Sequence, residues 1–155
     1  MNKRYLEDLA IGEQRESAPL TVELEPMLEF ARRYDPQYFH TDTDAARGSV
    51  FGGVIASGIY TMALWRQLDH QISQDIAWIC GVAWDDVRFP RAVRAGDRLR
   101  ARSECLSTRP STSQPGRGIA VFRYQLLNQH DEVVFDCRST NLVESRADPV
   151  TAQTA

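Results

Sequence analysis

Two side chains able to exchange protons stand five residues apart, on either side of a proline. Asp35 directly precedes Pro36, and His40 follows. A carboxylate and an imidazole are common general bases and acids in proteins. Neither a regular helix nor a strand aims side chains at this spacing toward one point, whereas a loop that begins at a proline can. The pair therefore predicts an acid–base site, although each residue alone is more often a turn or surface residue.

A helix is predicted from Val54 to Gln71. It is apolar around most of its surface until Arg66, and small residues stand near its start. The first N–H groups of a helix lack intrahelical acceptors, and the helix dipole favours negative charge there. The small residues Ala56, Ser57 and Gly58 would also allow a neighbour or a ligand to approach the backbone closely. Ser57 is predicted to pack or to hydrogen-bond with a ligand, because no Gly-x-Ser-x-Gly motif surrounds it.

The remaining patterns predict an α+β fold in which helices precede most strands. A short strand near Gln14 to Val22 leads into a helix from Thr21 to Tyr34. Four antiparallel strands are predicted in the second half, at Ile76 to Arg88, Arg98 to Leu106, Ile119 to Leu127 and Val133 to Val143. The first of these is apolar and aromatic, as in a strand covered on both faces. One long apolar helix wrapped by an antiparallel sheet would bury the apolar surfaces of both.

Length and composition favour a single domain. The 155 residues suffice for one substantial core, predicted over residues 1–145, and residues 146–155 are predicted to form a disordered tail. The net charge of −3 gives no indication of nucleic-acid binding. The first residues are polar and do not have the pattern of a secretory signal, and the longest apolar stretch is too short and too interrupted to span a membrane. We therefore expect a soluble, cytoplasmic protein.

The cysteines and histidines give no indication of a metal site. Cys80, Cys105 and Cys137 are far apart in apolar, strand-like surroundings, and no Cys-x-x-Cys motif occurs. They are predicted to be buried, reduced thiols. The three histidines are scattered and form no His-x-x-x-His pair, so no metal ligand set is predicted.

The segment from Tyr34 to Leu64 resembles the active-site segment of MaoC-like acyl dehydratases and R-specific enoyl-CoA hydratases. The likeness is carried by Asp35-Pro36, by His40 with Asp42, and by Phe51-Gly52-Gly53 leading to Ala56-Ser57-Gly58. It continues more weakly through residues 89–97 and 109–118. The chain departs from many hydratases in having Ser57-Gly58 where they have His-Gly. That departure leaves the Asp35/His40 pair intact and the substrate open.

This resemblance implies a single hot-dog domain that forms a homodimer or a dimer of dimers, with the active site near a subunit interface. The implied substrate is an acyl-CoA, and the implied reaction is reversible addition of water to a trans-2-enoyl thioester. Asp35 would activate the water and His40 would protonate carbon, or the two roles would be exchanged. The Gly58 N–H would stabilise the thioester oxygen, and no metal or redox cofactor is expected.

Two other functions stay open. A hot-dog acyl-CoA thioesterase also uses an acidic residue near the buried helix, but it would not need Asp35 and His40 at this spacing. A non-catalytic acyl-CoA-binding subunit would not need an intact pair. The apolar strand from Ile76 to Arg88 separately predicts contact with a second subunit, because one small domain cannot easily cover it.

Overall fold

The computed structural model describes residues 2–146. The predicted disordered tail therefore lies outside the described residues, apart from Arg146, which forms an ion pair with Asp8. The chain starts with a 3-10 turn at Leu6–Asp8 and two short strands, β1 (Gln14–Glu16) and β2 (Leu20–Thr21). The helices are α1 (Leu24–Tyr34), α2 (Tyr38–Thr41), α3 (Thr43–Ala46) and α4 (Gly58–Ser73). The long strands are β3 (Trp78–Arg88), β4 (Arg98–Pro110), β5 (Arg117–Leu127) and β6 (Val133–Glu144).

An antiparallel sheet packs against the long helix α4. Its strand order is β1-β4-β5-β6-β3, and β2 also pairs with β4. Trp65 of α4 is fully buried, and its ring lies 5.1 Å from the rings of both Tyr124 and Phe135 on the sheet. The α+β hot-dog architecture predicted from the sequence is confirmed.

Strand β4 shows how alternation builds the inner face of the sheet. Leu99, Ala101, Ser103 and Cys105 are buried, while Arg100 and the other intervening residues are partly exposed. Successive side chains of a strand point to opposite faces, so this pattern places one row against α4 and the other toward solvent. The prediction for residues 98–106 is confirmed, and the strand continues to Pro110.

The predicted start of the long helix is wrong. Helix α4 begins at Gly58, not at Val54, because long-range hydrogen bonds hold the preceding residues outside the helix. The Ile55 N–H donates to the Phe39 carbonyl at 3.0 Å, and the Ala56 N–H donates to the Val93 carbonyl at 2.8 Å. These partners lie far away in sequence, so the local apolar pattern could not indicate them. Helix α1 similarly begins at Leu24, since Thr21 pairs with β4.

Strand β3 lies at the edge of the sheet and is exposed along nearly its whole length in the single chain. Val82 and Trp84 are among its exposed apolar residues, so the single chain does not cover both faces of this strand, and its burial by a second subunit stays a prediction. The prediction of three buried thiols is wrong for Cys80, which lies exposed on this strand. Cys105 and Cys137 are buried, and burial raises the pKa of both thiols.

Candidate active site

The end of α1 positions Asp35. Its N–H donates to the Ala31 carbonyl at 2.8 Å, and its backbone then leaves the helical conformation ahead of Pro36. The Gln37 N–H donates to the Asp35 carbonyl at 2.8 Å, which tightens the turn. The short helix α2 follows at once and carries His40. The turn brings Asp35 Oδ2 to 3.7 Å from His40 Nε2.

One hydrogen bond fixes the orientation of the His40 ring. His40 is 6% exposed, and its Nδ1 lies 2.8 Å from the Ile55 carbonyl oxygen. A carbonyl oxygen can only accept, so Nδ1 carries the proton and donates it. Nε2 is therefore the nitrogen that faces Asp35 and can exchange protons. The Ile55 carbonyl lies before the start of α4, so it is not an acceptor within that helix.

A hydrogen bond to Oδ1 orients the Asp35 carboxylate. Gln37 Nε2 donates to Asp35 Oδ1 at 3.0 Å, and this leaves Oδ2 toward His40. The separation of 3.7 Å between Oδ2 and Nε2 exceeds a direct hydrogen bond. One water molecule can contact both atoms at about 2.8 Å from each. The side chain of Asp35 remains partly exposed, so the pair is accessible to solvent.

His40 lines a pocket of about 280 Å³ together with Gly58 and Thr61. Most of the other walls are apolar side chains, namely Phe39, Phe51, Ile55, Ala56, Phe89, Ala92 and Val93, with Arg91 at the same pocket. Asp35 does not line this pocket. It lies next to His40, which does. The arrangement suits an apolar acyl group placed beside a water-binding acid–base pair.

The N-terminus of α4 lies at this pocket, which Gly58 lines. Ser57 is the N-cap: its Oγ accepts from the Tyr60 N–H at 3.1 Å, and its carbonyl accepts from the Thr61 N–H at 3.0 Å. The N–H groups of Gly58 and Ile59 precede the first intrahelical bond and have no acceptor within the helix. Gly58 lines the pocket, and its role as an oxyanion donor stays a prediction. Ser57 is fully buried with its hydroxyl used as the cap, and a contact with ligand stays a prediction.

Close packing explains why a glycine stands at position 58. A Cβ added there would lie 3.0 Å from Cζ of Phe89, which is closer than ordinary van der Waals contact. Any larger residue would require the Phe89 ring, which lines the same pocket, to shift by a few tenths of an ångström. Asp42, the acidic residue near His40, caps α3 by accepting from the Asp44 and Ala45 N–H groups.

A second pocket, of about 320 Å³, lies farther along α4 and was not predicted from the sequence. It is lined by Arg66, Asp69, His70, Trp78, Cys80, Gly81, Trp84, Tyr124 and Asn141. Asp69 Oδ2 accepts from Arg66 Nη1 at 2.5 Å. Burial raises the pKa of Asp69, while the Arg66 guanidinium opposes that shift. The available signal was an acidic residue three positions after Arg66 on a helix whose earlier residues are mostly apolar.

Within residues 2–146, no helix is long and apolar enough to cross a membrane. In the same range, no group of three or more His, Cys, Asp or Glu side chains is placed to hold a metal ion.

Comparison with known proteins gives one family and several relatives. The family model described as "MaoC like domain" matches residues 8–120. The uncharacterized protein YdeM of Bacillus subtilis is 30% identical over 143 residues, which cover 90% of this chain and 98% of YdeM. A MaoC-like dehydratase from Rhodospirillum rubrum has a solved structure that is 35% identical, with a TM-score of 0.81 over 93% of this chain and 99% of that one.

A shorter match adds a relative with a stated activity. 3-Hydroxyacyl-thioester dehydratase Z of Mycobacterium tuberculosis is 37% identical over 71 residues. These residues make up 44% of this chain and 47% of that protein, so the similarity spans about half of each.

Proposed function

Because the chain belongs to the MaoC-like domain family, we propose that it is a hydratase/dehydratase that adds water reversibly to a trans-2-enoyl-CoA thioester. One observation carries the proposal: Asp35 Oδ2 and His40 Nε2 lie 3.7 Å apart beside a largely apolar pocket. The stated activity of the Mycobacterium tuberculosis relative and the description of the Rhodospirillum rubrum structure support the same reaction class. Coenzyme A as the thiol carrier is part of the proposal.

Asp35 and His40 provide the two proton transfers. Water bound between Oδ2 and Nε2 loses a proton to the Asp35 carboxylate as its oxygen attacks the β-carbon. His40, protonated at Nε2 beside that carboxylate, delivers a proton to the α-carbon. The same two atoms serve the reaction with their roles exchanged, because neutral His40 has its lone pair at Nε2. The reverse sequence of transfers eliminates water from a 3-hydroxyacyl thioester.

The start of α4 stabilises the charge that develops on the thioester oxygen. The Gly58 N–H has no acceptor within the helix, and the positive end of the helix dipole lies at the same place. A donor fixed in advance in an apolar pocket stabilises an oxyanion more than a mobile water does. Neither a metal nor a redox cofactor enters this scheme. The absence of a cofactor and a cytoplasmic location both stay predictions.

The proposal includes a homodimer in which β3 is covered. Strand β3 has one unpaired edge and exposes Val82, Trp84 and other apolar side chains in the single chain. An exposed apolar edge strand is unfavourable in an isolated subunit. We expect sedimentation at micromolar concentration to give a dimer or a dimer of dimers, and a monomer would contradict this part of the proposal.

Hydration of crotonyl-CoA by the purified protein tests the activity. The loss of enoyl absorbance is followed together with the release of free thiol. Asp35→Asn and His40→Ala should each abolish most of the hydration while preserving the fold. Asp44→Asn and His130→Ala are matched controls on exposed side chains and should hydrate at the wild-type rate.

The outcomes separate the three functions considered from the sequence. Hydration that depends on both residues supports the proposal. Thiol release without hydration would replace it by the thioesterase, and acyl-CoA binding without either reaction would replace it by a non-catalytic subunit. Full hydration by both folded single variants would show that the assignment of Asp35 and His40 is wrong.

A further inference from the structure

One wall of the pocket beside His40 is formed by a turn between α3 and the segment that precedes α4. Phe51 lines the pocket and belongs to this turn, residues 48–53. The turn folds on itself, because the Phe51 N–H donates to Ser49 Oγ at 3.2 Å and the Gly52 N–H donates to the Ser49 carbonyl at 3.0 Å. These local bonds give the turn its shape, but they do not hold it against the pocket.

Arg94 connects the turn to the rest of the protein. Its Nη2 donates to the Phe51 carbonyl at 2.5 Å. The guanidinium also lies beside Gly53, where an added Cβ would be 3.4 Å from Arg94 Nη1. Among the described residues, no other hydrogen bond joins residues 48–53 to a residue outside 45–53. The Phe39 ring, 5.2 Å from the Phe51 ring, adds an apolar contact.

The backbone of Arg94 is itself fixed. Its N–H donates to Asp97 Oδ2 at 2.8 Å, and its carbonyl accepts from the Asp97 N–H at 3.1 Å. Gly96, which has a φ of +91°, closes this second turn and donates its N–H to the Val22 carbonyl at 2.8 Å. Val22 is buried in the core. The guanidinium therefore reaches the Phe51 carbonyl from a well-supported backbone.

We propose that Arg94 is a positioning residue that holds the Phe51 ring against the acyl group of the substrate. This inference rests on the proposed function, since it takes the pocket beside His40 as the acyl site. A guanidinium suits the task because its charge-assisted hydrogen bond to a carbonyl is stronger than a neutral one. An apolar contact with Phe51 is made by the substrate and by the transition state alike. Its loss should therefore weaken binding and leave the chemical step nearly unchanged.

Hydrogen exchange tests the position of the turn without any ligand. Arg94→Met keeps most of the length of the side chain and removes the donor. The amides of residues 48–53 should exchange roughly fivefold or more faster in this variant, because the turn opens more often. Arg47→Met is the matched control, since Arg47 is an exposed arginine next to the turn that pairs with Asp44, and it should leave the exchange unchanged. Wild-type exchange in Arg94→Met would overturn the proposal.

Binding and hydration test the effect on the substrate. Arg94→Met should bind hexanoyl-CoA roughly fivefold more weakly than wild type, as measured by calorimetry. For the better wild-type substrate of crotonyl-CoA and trans-2-hexenoyl-CoA, KM should rise roughly fivefold while kcat stays within about twofold. Arg94→Lys, which keeps a charged donor, should recover part of the affinity. In a Phe51→Ala background, Arg94→Met should cause little further loss, because Arg94 acts through Phe51.

Two results would assign a different role to Arg94. A loss of affinity that is equally large in the Phe51→Ala background, and that shrinks as salt is raised, would place Arg94 at a phosphate of coenzyme A and overturn the proposal. A fall in kcat with unchanged KM would overturn it as well.

The wild-type assay distinguishes this failure from failure of the proposed function. Hydration by wild type together with unchanged affinity in Arg94→Met removes only the inference about Arg94. If wild type hydrates neither enoyl-CoA, the proposed reaction fails, and the exchange of residues 48–53 and the affinity for hexanoyl-CoA still decide the role of Arg94.

Discussion

The four-stranded part of the sheet and the segment between α1 and α4 are held by different kinds of contact. In the sheet, β4, β5 and β6 pair over nearly their whole lengths, so each backbone bond is one of many equivalent bonds. Residues 35–57 depend instead on single bonds to distant partners, such as Ile55 N–H to the Phe39 carbonyl and His40 Nδ1–H to the Ile55 carbonyl. Loss of one backbone bond should therefore change the sheet little. Loss of one such bond in residues 35–57 should change the geometry of the whole segment. We expect stability to reside mainly in the sheet and chemistry mainly in the segment.

The largest effect should come from the acid–base pair. Loss of either general acid–base group typically lowers a rate about 10²–10⁴-fold. The double variant Asp35→Asn/His40→Ala should hydrate crotonyl-CoA scarcely more slowly than the slower single variant, because both residues act on one transition state. Urea unfolding should show that the variants remain folded, with a loss of about 1–3 kcal/mol for His40→Ala because the Ile55 carbonyl loses its donor. Additive losses would mean that the two residues act independently, and unfolding of the single variants would contradict the division between segment and sheet.

Leu99→Ala should lower the stability of the protein and leave its activity nearly unchanged, which is the reverse of the effect expected for the acid–base pair. Leu99 is 0% exposed on the inner face of β4 near its start, so its truncation leaves a cavity and should cost about 2–5 kcal/mol of unfolding free energy. Hydration per folded molecule should stay near wild type. Leu106→Ala on the exposed side of the same strand is the control and should cost less than about 1 kcal/mol. A large loss of activity in folded Leu99→Ala would show that the sheet also sets the site geometry.

Gly58→Ala tests the boundary between the two regions. The added methyl lies 3.0 Å from Phe89 Cζ, so the ring must move by a few tenths of an ångström. A small displacement at the pocket wall should lower kcat/KM roughly tenfold, since larger misplacements of about 1 Å cost about 10²-fold. Stability should be unchanged or slightly higher, because alanine favours a helix more than glycine does. Unchanged kcat/KM would show that the position of the Phe89 ring does not influence the reaction, since alanine keeps the backbone N–H at position 58.

Ser57→Ala should give the smallest effect and mainly affect stability. The Ser57 hydroxyl accepts from the Tyr60 N–H, and loss of such an N-cap typically costs about 1 kcal/mol. Thermal unfolding measures the change, and Ser57→Thr, which keeps an N-cap hydroxyl, should recover part of it. A loss of activity much larger than the loss of stability would instead support the predicted contact between Ser57 and ligand.

The sequence predicted the regular elements because their signals are local. The alternation of Leu99 and Ala101 with polar neighbours identified β4, and Pro36 correctly marked the end of α1. The five-residue spacing of Asp35 and His40 also predicted their proximity, because the turn between them is short. The exact role of each residue stays a prediction.

The errors arise where distant contacts override local preference. Apolar residues 54–57 look helical, but Val93 and Phe39 hold two of their N–H groups outside the helix. Strand β3 has the composition of a strand covered on both faces, but it lies at the edge of the sheet and most of its residues are exposed in the single chain. In the sequence, Asp69 indicates only an ion pair with Arg66, three residues earlier on the helix. Its burial and the absence of a partner for its Oδ1 among the described residues depend on the packing of the helix in the folded protein.

The hydrogen bond from His40 to the Ile55 carbonyl has a stereochemical consequence for the proposed reaction. Because Nδ1 is occupied, protons enter and leave the ring only at Nε2, the atom that faces Asp35. Both reacting groups then approach the enoyl plane from one side, so hydrogen and hydroxyl add to the same face. Hydration in deuterium oxide should therefore yield a single diastereomer of the 2-deuterio-3-hydroxyacyl product, the one formed by syn addition.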